Sequence, residues 1–293
     1  MMSRSTWTLI AVLIVLVGIA VYVLQRPGES SSSDTSGTML LSFDSAAVNR
    51  LEIHSREGDV TLQNDNGSWM LESPIRYRAD QTSVLSAIAK ARSIAVKNIV
   101  SSNPARFSLF QVDSTGTLVR VLAGNTLLAS FFVGKPSSSY SETYARISNS
   151  NDVILADGMF GYMFSRSAQD WRDKAILHVP QNEVASVKFT YGDTTFTLAR
   201  ADSGWTLDGS RVKQASVDQL LGSLGGFTAD GFIDTAYSPA SPLAATVTIN
   251  GTDIRFFAGK GNYTVQTSTT PQWFEVQDWK VKGLLKRKND FMS

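Results

Sequence analysis

Hydrophobic residues follow two different patterns along this chain. Near the N-terminus, Trp7 to Leu24 (WTLIAVLIVLVGIAVYVL) is an unbroken run of 18 residues that carries no charge. Beyond residue 45 the apolar positions come in short runs that alternate with polar ones, broken by Gly-containing turns and by two stretches with helical spacing. The first pattern predicts a helix apolar on every face; the second predicts antiparallel sheet with one buried face.

A helix over Trp7–Leu24 would span roughly 27 Å, close to the hydrocarbon thickness of a bilayer. Trp7 and Tyr22 lie near its two ends, where amphipathic rings favour the interface. A cleaved signal peptide fits less well. Its apolar region is about 7–15 residues long and ends in a small-residue cleavage site, whereas this run ends in Tyr22-Val23-Leu24-Gln25-Arg26. A buried core helix also fits poorly with a terminal segment apolar all round. The expectation is therefore a single-pass membrane anchor over residues 1–26 and a flexible Ser/Gly-rich tether over 27–44, most polar in Pro27–Thr38. Arg4 and the α-amino group precede the run, and only Arg26 follows it closely, before Glu29 and Asp34. The positive-inside rule then places the anchor in the cytoplasmic membrane and the bulk of the chain on the periplasmic, extracytoplasmic side.

The alternating region is written twice. With Trp69 set over Trp205, Val48 meets Val184, Leu51 meets Val187, Ile53 meets Phe189, Leu62 meets Leu198 and Leu71 meets Leu207. Each copy continues into a helical stripe: Val84, Leu85, Ile88 and Ala91 in Gln81–Arg92, then Val217, Leu220, Leu221 and Leu224 in Ala215–Leu224. Further on, Gly124–Lys135 resembles Gly251–Lys260, and Val153–Asp157 resembles Phe274–Asp278. Each copy closes in a helix-like segment ending at Gln169–Arg172 and Asn289–Met292. These blocks keep one order, which predicts a tandem duplication. The units are 45–178 and 179–293, and the fold class is α+β with mostly antiparallel sheet and packed helices.

Composition narrows the function classes. The 293 residues are 43% hydrophobic and 18% charged, enough for a sizeable core. Net charge is +1, which removes the electrostatic case for nucleic acid as a partner. The absence of cysteine excludes disulfides, thiolate catalysis, Cys-ligated metals and a lipoprotein anchor.

Several short motifs then point to a family. They are Trp69 and Trp205 in their Gly/Ser-x-Trp-x-Leu strand context, the Val133-Gly134-Lys135-Pro136 run, the Tyr144-Ala145-Arg146 strand and the Asp170-Trp171-Arg172-Asp173-Lys174 junction. Together they resemble the bacterial proteins grouped as domain of unknown function 4340, over roughly residues 45–292. Members typically carry an N-terminal anchor, and many are encoded beside ABC-transporter components of the gliding-motility type. The resemblance therefore implies an envelope accessory protein whose partners are ABC-transporter permease or ATPase subunits, and it implies no catalytic residues. One departure marks a sub-branch: Phe107 is followed by SLFQVD, where many members have a Tyr-Gly-Leu-type turn.

Residue chemistry outside the family motifs is sparse. His54 follows Ile53 in an alternating strand and is expected to be solvated; His178, beside Pro180, is expected to pack or cap at the unit junction. They are far apart, with no carboxylate pattern around them, so no two-His metal site is expected. No Gly-x-Ser-x-Gly elbow occurs, and Gly222–Gly231 follows a helix and lacks the Lys-Ser/Thr of a phosphate loop. Three surface features remain. Ser137–Ser141 is an ordinary polar loop or a ligand-facing hairpin. Phe131-Phe132 and Phe256-Phe257 each turn one ring to the core and leave one to be covered by the companion unit or by a partner. Lys280, Lys282, Lys286, Arg287 and Lys288, with Asp290 opposing, form either a solvated helix end or a face for anionic lipid or an acidic partner.

No catalytic, cofactor-binding or metal-ligating residue is singled out. The leading expectation is a non-enzymatic, membrane-anchored accessory or scaffold subunit of a bacterial cell-envelope complex of the ABC-transporter type. An anchored extracytoplasmic module binding polysaccharide or lipid is the alternative, and an envelope hydrolase comes third.

Overall fold

The computed structural model describes residues 37–202 and 204–292. The expected anchor, Trp7–Leu24, lies outside the described residues. Among the described residues no helix is long and apolar enough to cross a membrane.

The first half runs β1 (Arg50–Ser55), β2 (Gly58–Asp65), β3 (Ser68–Ser73), β4 (Tyr77–Arg78), α1 (Gln81–Arg92) and β5 (Val96–Ser101). A one-turn helix α2 (Phe107–Phe110) follows, then β6 (Thr117–Ala123), β7 (Thr126–Pro136), β8 (Glu142–Ile147) and β9 (Val153–Asp157), and the short helices α3 (Gly161–Phe164) and α4 (Ala168–Trp171). The second half repeats the scheme with β10 (Ser186–Tyr191), β11 (Thr194–Ala201), β12 (Gly204–Leu207), β13 (Ser210–Arg211), α5 (Gln214–Gly225) and β14 (Gly231–Ile233). It ends with β15 (Leu243–Ile249), β16 (Thr252–Ala258), β17 (Asn262–Thr267), β18 (Trp273–Gln277) and α6 (Asp278–Leu284).

Each half builds a nine-stranded sheet, ordered β4-β3-β2-β1-β6-β7-β8-β9-β5 and β13-β12-β11-β10-β15-β16-β17-β18-β14. The two orders are identical position for position, so the duplication read from the Trp69/Trp205 alignment is a duplication of topology. In each, a helix carries the chain from one edge of the sheet to the other, which delivers β5 or β14 to the far side before the second meander begins.

The alternation fixes which face is buried. Leu51, Ile53, Leu62 and Leu71 in the first sheet, and Val187, Phe189, Leu198 and Leu207 in the second, are 0–1% exposed. At about 1.5–3 kcal/mol per fully buried aliphatic or aromatic side chain, slipping any strand by one residue would forfeit most of this, so register is strongly specified. The stripe of α5 is buried at all four expected positions. In α1 the expectation needs one correction: Leu85 is 55% exposed, while Ala87 joins Val84, Ile88 and Ala91 in the core. A residue next to Val84 lies about 100° around the helix, so a stripe through 84, 87, 88 and 91 leaves 85 outside it.

Packing gathers the described residues into two compact units, drawn from Met1–Arg56 with Ala87–Ser165 and from Glu57–Ser86 with Arg166–Ser293. In the first, Phe164 meets Phe131 edge-on at 5.7 Å and Phe160 at 6.5 Å. At its N-terminal end, residues 37–40 pair with residues 94–96 at the start of β5: Gly37 N–H donates to Val96 O, Val96 N–H to Thr38 O and Leu40 N–H to Ile94 O, each at 2.8 Å. In the second unit, Phe189 stacks on Phe196 at 4.9 Å, and both lie near Phe291.

The repeated Phe-Phe-x-Gly-Lys segment carries a glycine in each copy, for different reasons. A Cβ on Gly134 would come within 2.2 Å of the Phe110 carbonyl oxygen, where backbone cannot yield. A Cβ on Gly259 would meet Asn262 Oδ1 at 2.5 Å, and that exposed side chain can swing away. Gly134→Ala is therefore expected to cost roughly 1–3 kcal/mol by overpacking, and Gly259→Ala clearly less. Urea unfolding of the two variants side by side tests this, and equal losses would refute it.

Candidate functional site

The motif residues that stand out in the sequence converge on packing positions. Trp69 is 2% exposed, and its main chain is clamped by Gln81 of α1, which accepts from Trp69 N–H at 2.8 Å and donates to Trp69 O at 3.0 Å. Trp205 is 7% exposed, with Arg200 stacked over it at 5.4 Å.

Arg172 is the central group of the Asp170–Lys174 junction. The junction leaves α4 at Trp171, is extended from Arg172 onward, and pairs on both sides within the second compact unit. Asp80 N–H donates to Trp171 O and Asp173 N–H to Arg78 O, each at 2.8 Å, while Ala229 N–H donates to Lys174 O at 2.7 Å. These pairings carry the Arg172 side chain, 0% exposed, into a closed setting. Its Nη1 donates to Asp234 Oδ1 at 2.6 Å and its Nη2 to Gln272 Oε1 at 2.8 Å. Gln272 is itself fixed by donating to Trp273 O at 2.7 Å and Ile233 O at 3.0 Å. The guanidinium is covered by the rings of Phe232 and Tyr77, with Cζ 3.7 and 4.1 Å from their centroids. Each such desolvated cation–π contact contributes up to about 2 kcal/mol. Burial is also what raises the Tyr77 phenol above its ordinary pKa, against the pull of Arg172.

Arg146 makes a different kind of buried cation in the first unit. It donates from Nε to Val112 O at 2.9 Å, and from Nη1 to Ser150 O at 2.9 Å and Ser148 O at 3.0 Å. Its Cζ lies 4.0 Å from the Phe107 ring and 4.7 Å from the Phe132 ring. Burial lowers its pKa, and Asp113 opposes that shift. Here Phe132, the outward ring of its pair, finds its cover. Phe257 lies 5.5 Å from the Trp273 ring. The cover expected from a companion unit or partner is thus supplied by neighbours in each ring's own sheet.

The Ser137–Ser141 loop is organised around a carboxylate. Ser137 and Ser139 both donate to Glu142 Oε2 at 2.6 Å, Ser139 and Ser141 share a hydrogen bond of 2.8 Å, and Lys97 Nζ sits 2.6 Å from Glu142 Oε1. Lys97 first, then the serine hydroxyls, hold the Glu142 carboxyl far below its ordinary value. Tyr140 is 68% exposed at the tip, with φ at 55°.

The histidines stay apart. His54 is half-buried on β1, whereas His178 is 47% exposed with Nε2 3.7 Å from Asp173 Oδ2. That carboxylate neighbour was not expected; it arises because the extended junction folds Asp173 back beside His178, where it also receives Arg78 at 3.5 Å. In the C-terminal basic run, Lys280 pairs with Asp230 at 2.6 Å, Lys288 with Asp208 at 2.8 Å, and Lys282 with Asp278. Arg287 stacks on Tyr191 at 3.9 Å, and burial pushes the Tyr191 phenol up to about 12. Asp230 and Asp208 come from distant segments and Asp278 from one turn away on the same helix, so this run presents less free charge to an anionic surface than its sequence implies.

Among the described residues, no three His, Asp or Glu side chains gather as a metal site. A family model, that of a domain of unknown function (DUF4340), matches residues 69–246. No curated protein and no solved structure matches the chain.

Removing the Arg172 guanidinium leaves Asp234 and Gln272 without their donor, so Arg172→Ala should lower unfolding stability by about 3–5 kcal/mol, and Arg172→Lys should not restore it because the planar stacking is lost. Denaturant melts decide; a loss under about 1 kcal/mol contradicts the role given to Arg172. For Glu142 the folded-state pKa lies below the ordinary 4.5, so its contribution is present above that pH and is lost as pH falls below it. The stability gap between the native protein and Glu142→Gln should therefore be largest at neutral pH and shrink on acidification; a constant gap would show that the carboxylate does not act this way.

Proposed function

This chain belongs to the DUF4340 family, and on that premise we propose that it is a non-enzymatic, membrane-anchored accessory subunit of a bacterial cell-envelope complex of the ABC-transporter type, with its two sheets on the extracytoplasmic side. One observation carries the non-enzymatic part: Trp69, Arg146, Trp171 and Arg172, which carry the family motifs, are all buried in packing. The two arginines are held by rings, carbonyls, a side-chain amide and a single carboxylate, and Trp69 is clamped by the Gln81 amide. A reactive centre requires its groups within reach of a substrate, and these side chains are enclosed. The uncharged run Trp7–Leu24 supports the anchor. Confinement to a membrane raises the local concentration of any partner in the same bilayer, so a modest interface suffices for assembly.

Affinity purification of the full-length protein from mild detergent tests this reading. Co-purification of permease or ATPase subunits in fixed ratio is the expected result. Repeated recovery of the protein alone counts against it, and recovery with bound polysaccharide or lipid instead would favour the binding-module alternative.

A further inference from the structure

The two sheets differ at one matched pair of positions. In the first, β7 sets Phe132 opposite Arg146 of β8, and the guanidinium fills the space between that ring and Phe107. The Phe-Phe-x-Gly-Lys runs at 131–135 and 256–260 match Phe132 with Phe257, and both lie on the sixth strand of their sheet order. In the second sheet, β16 sets Phe257 opposite Thr264 of β17. A short hydroxyl side chain thus stands where the first copy has a long cation.

Trp273 beside Phe257 and Tyr237 bonded to Thr264 take up part of that space. A groove of about 200 Å³ remains, lined among others by Ile233, Tyr237, Phe257, Asn262, Thr264 and Glu275. Tyr237, from the segment joining β14 to β15, forms its far wall; its hydroxyl is 3.0 Å from Thr264 Oγ1 and its ring 5.2 Å from that of Trp273. Glu275 on β18 is directly opposite Thr264 in register, exposed, and without an ion-pair partner among the described residues. The groove therefore offers aromatic faces and one uncompensated carboxylate, the complement of a planar cation. Its volume is below the roughly 300–1,000 Å³ of small-molecule pockets, which suits a single inserted side chain.

We propose that this groove receives the guanidinium of an arginine presented by a partner polypeptide, beside the Glu275 carboxylate and the half-buried rings of Tyr237 and Phe257. The inference is independent of the transporter reading. Full-length protein in mild detergent is titrated with a blocked Gly-Arg-Gly peptide, with the citrulline and lysine analogues as controls, by calorimetry and tryptophan fluorescence. The arginine peptide should bind saturably in the millimolar range or tighter, and the citrulline and lysine peptides about tenfold more weakly or worse. Glu275→Gln, at an exposed position, should weaken arginine binding about tenfold. Thr264→Arg should abolish it by filling the groove from within, with the near-ultraviolet circular dichroism unchanged. Absence of saturation, equal binding of either control peptide, or native affinity in the Glu275→Gln variant would overturn the proposal, whether or not Thr264→Arg folds.

Discussion

Taking a guanidinium out of water costs several kcal/mol unless its charge and its donors are met inside the protein. Arg172 is wholly enclosed, so its surroundings have to be built to a tight specification. Asp234 supplies the countercharge, Gln272 an acceptor, and Tyr77 and Phe232 two polarisable faces. These four groups come from β4, β14 and the loops after β14 and before β18, which therefore have to arrive together. The extended junction around Arg172 pairs with residues 78–80 and with 227–229, and the side chain is what makes that path specific. Its Nε and the indole nitrogen of Trp171 are buried without partners among the described residues, so the arrangement retains a cost of about 1–3 kcal/mol per group. The rings offset it, since they cover the cation without accepting a hydrogen bond.

Duplication gave the two sheets the same wiring and then let their surfaces diverge. The core positions paired by the Trp69/Trp205 alignment remained apolar in both, because a change there costs transfer energy and leaves a cavity. The outward positions were free to drift. Arg146 is a stacked cation in one copy, and Thr264 holds the corresponding register position in the other. Glycines kept in both copies have likewise come to serve different constraints, a backbone contact at Gly134 and a side-chain contact at Gly259.

How far the sequence could be read depended on the range of the interaction. Period-two alternation and the stripe of α5 are local, and they predicted the buried faces correctly. Leu85 stands three residues before Ile88 and so fits a helical stripe by spacing alone, but the buried stripe is centred on Val84, Ala87, Ile88 and Ala91 and leaves it outside. Strand order beyond neighbouring hairpins was not legible, since the helix that carries β5 or β14 to the far edge leaves no periodic trace. The partners of Arg172 lie 62 and 100 residues away, and Lys97 lies 45 residues from Glu142. No spacing rule connects such pairs. The motifs did mark Arg146 and Arg172 as unusual, and what they marked was burial of charge.

The ends of the two sheets have a consequence for life at high local density. An exposed strand edge offers a row of unpaired amides and carbonyls on which a second molecule can add a strand. Here β4 and β13 are two residues long and β14 three, and the six-residue β5 is covered at its first residue, Val96, by residues 37–40 and is irregular in register. Ala79 at the end of β4 is already bridged to Arg172. Wide antiparallel sheets of this kind are ordinarily prone to edge-to-edge self-association. With such abbreviated and occupied margins, many copies can crowd one surface and remain colloidally independent, free to recognise something other than themselves.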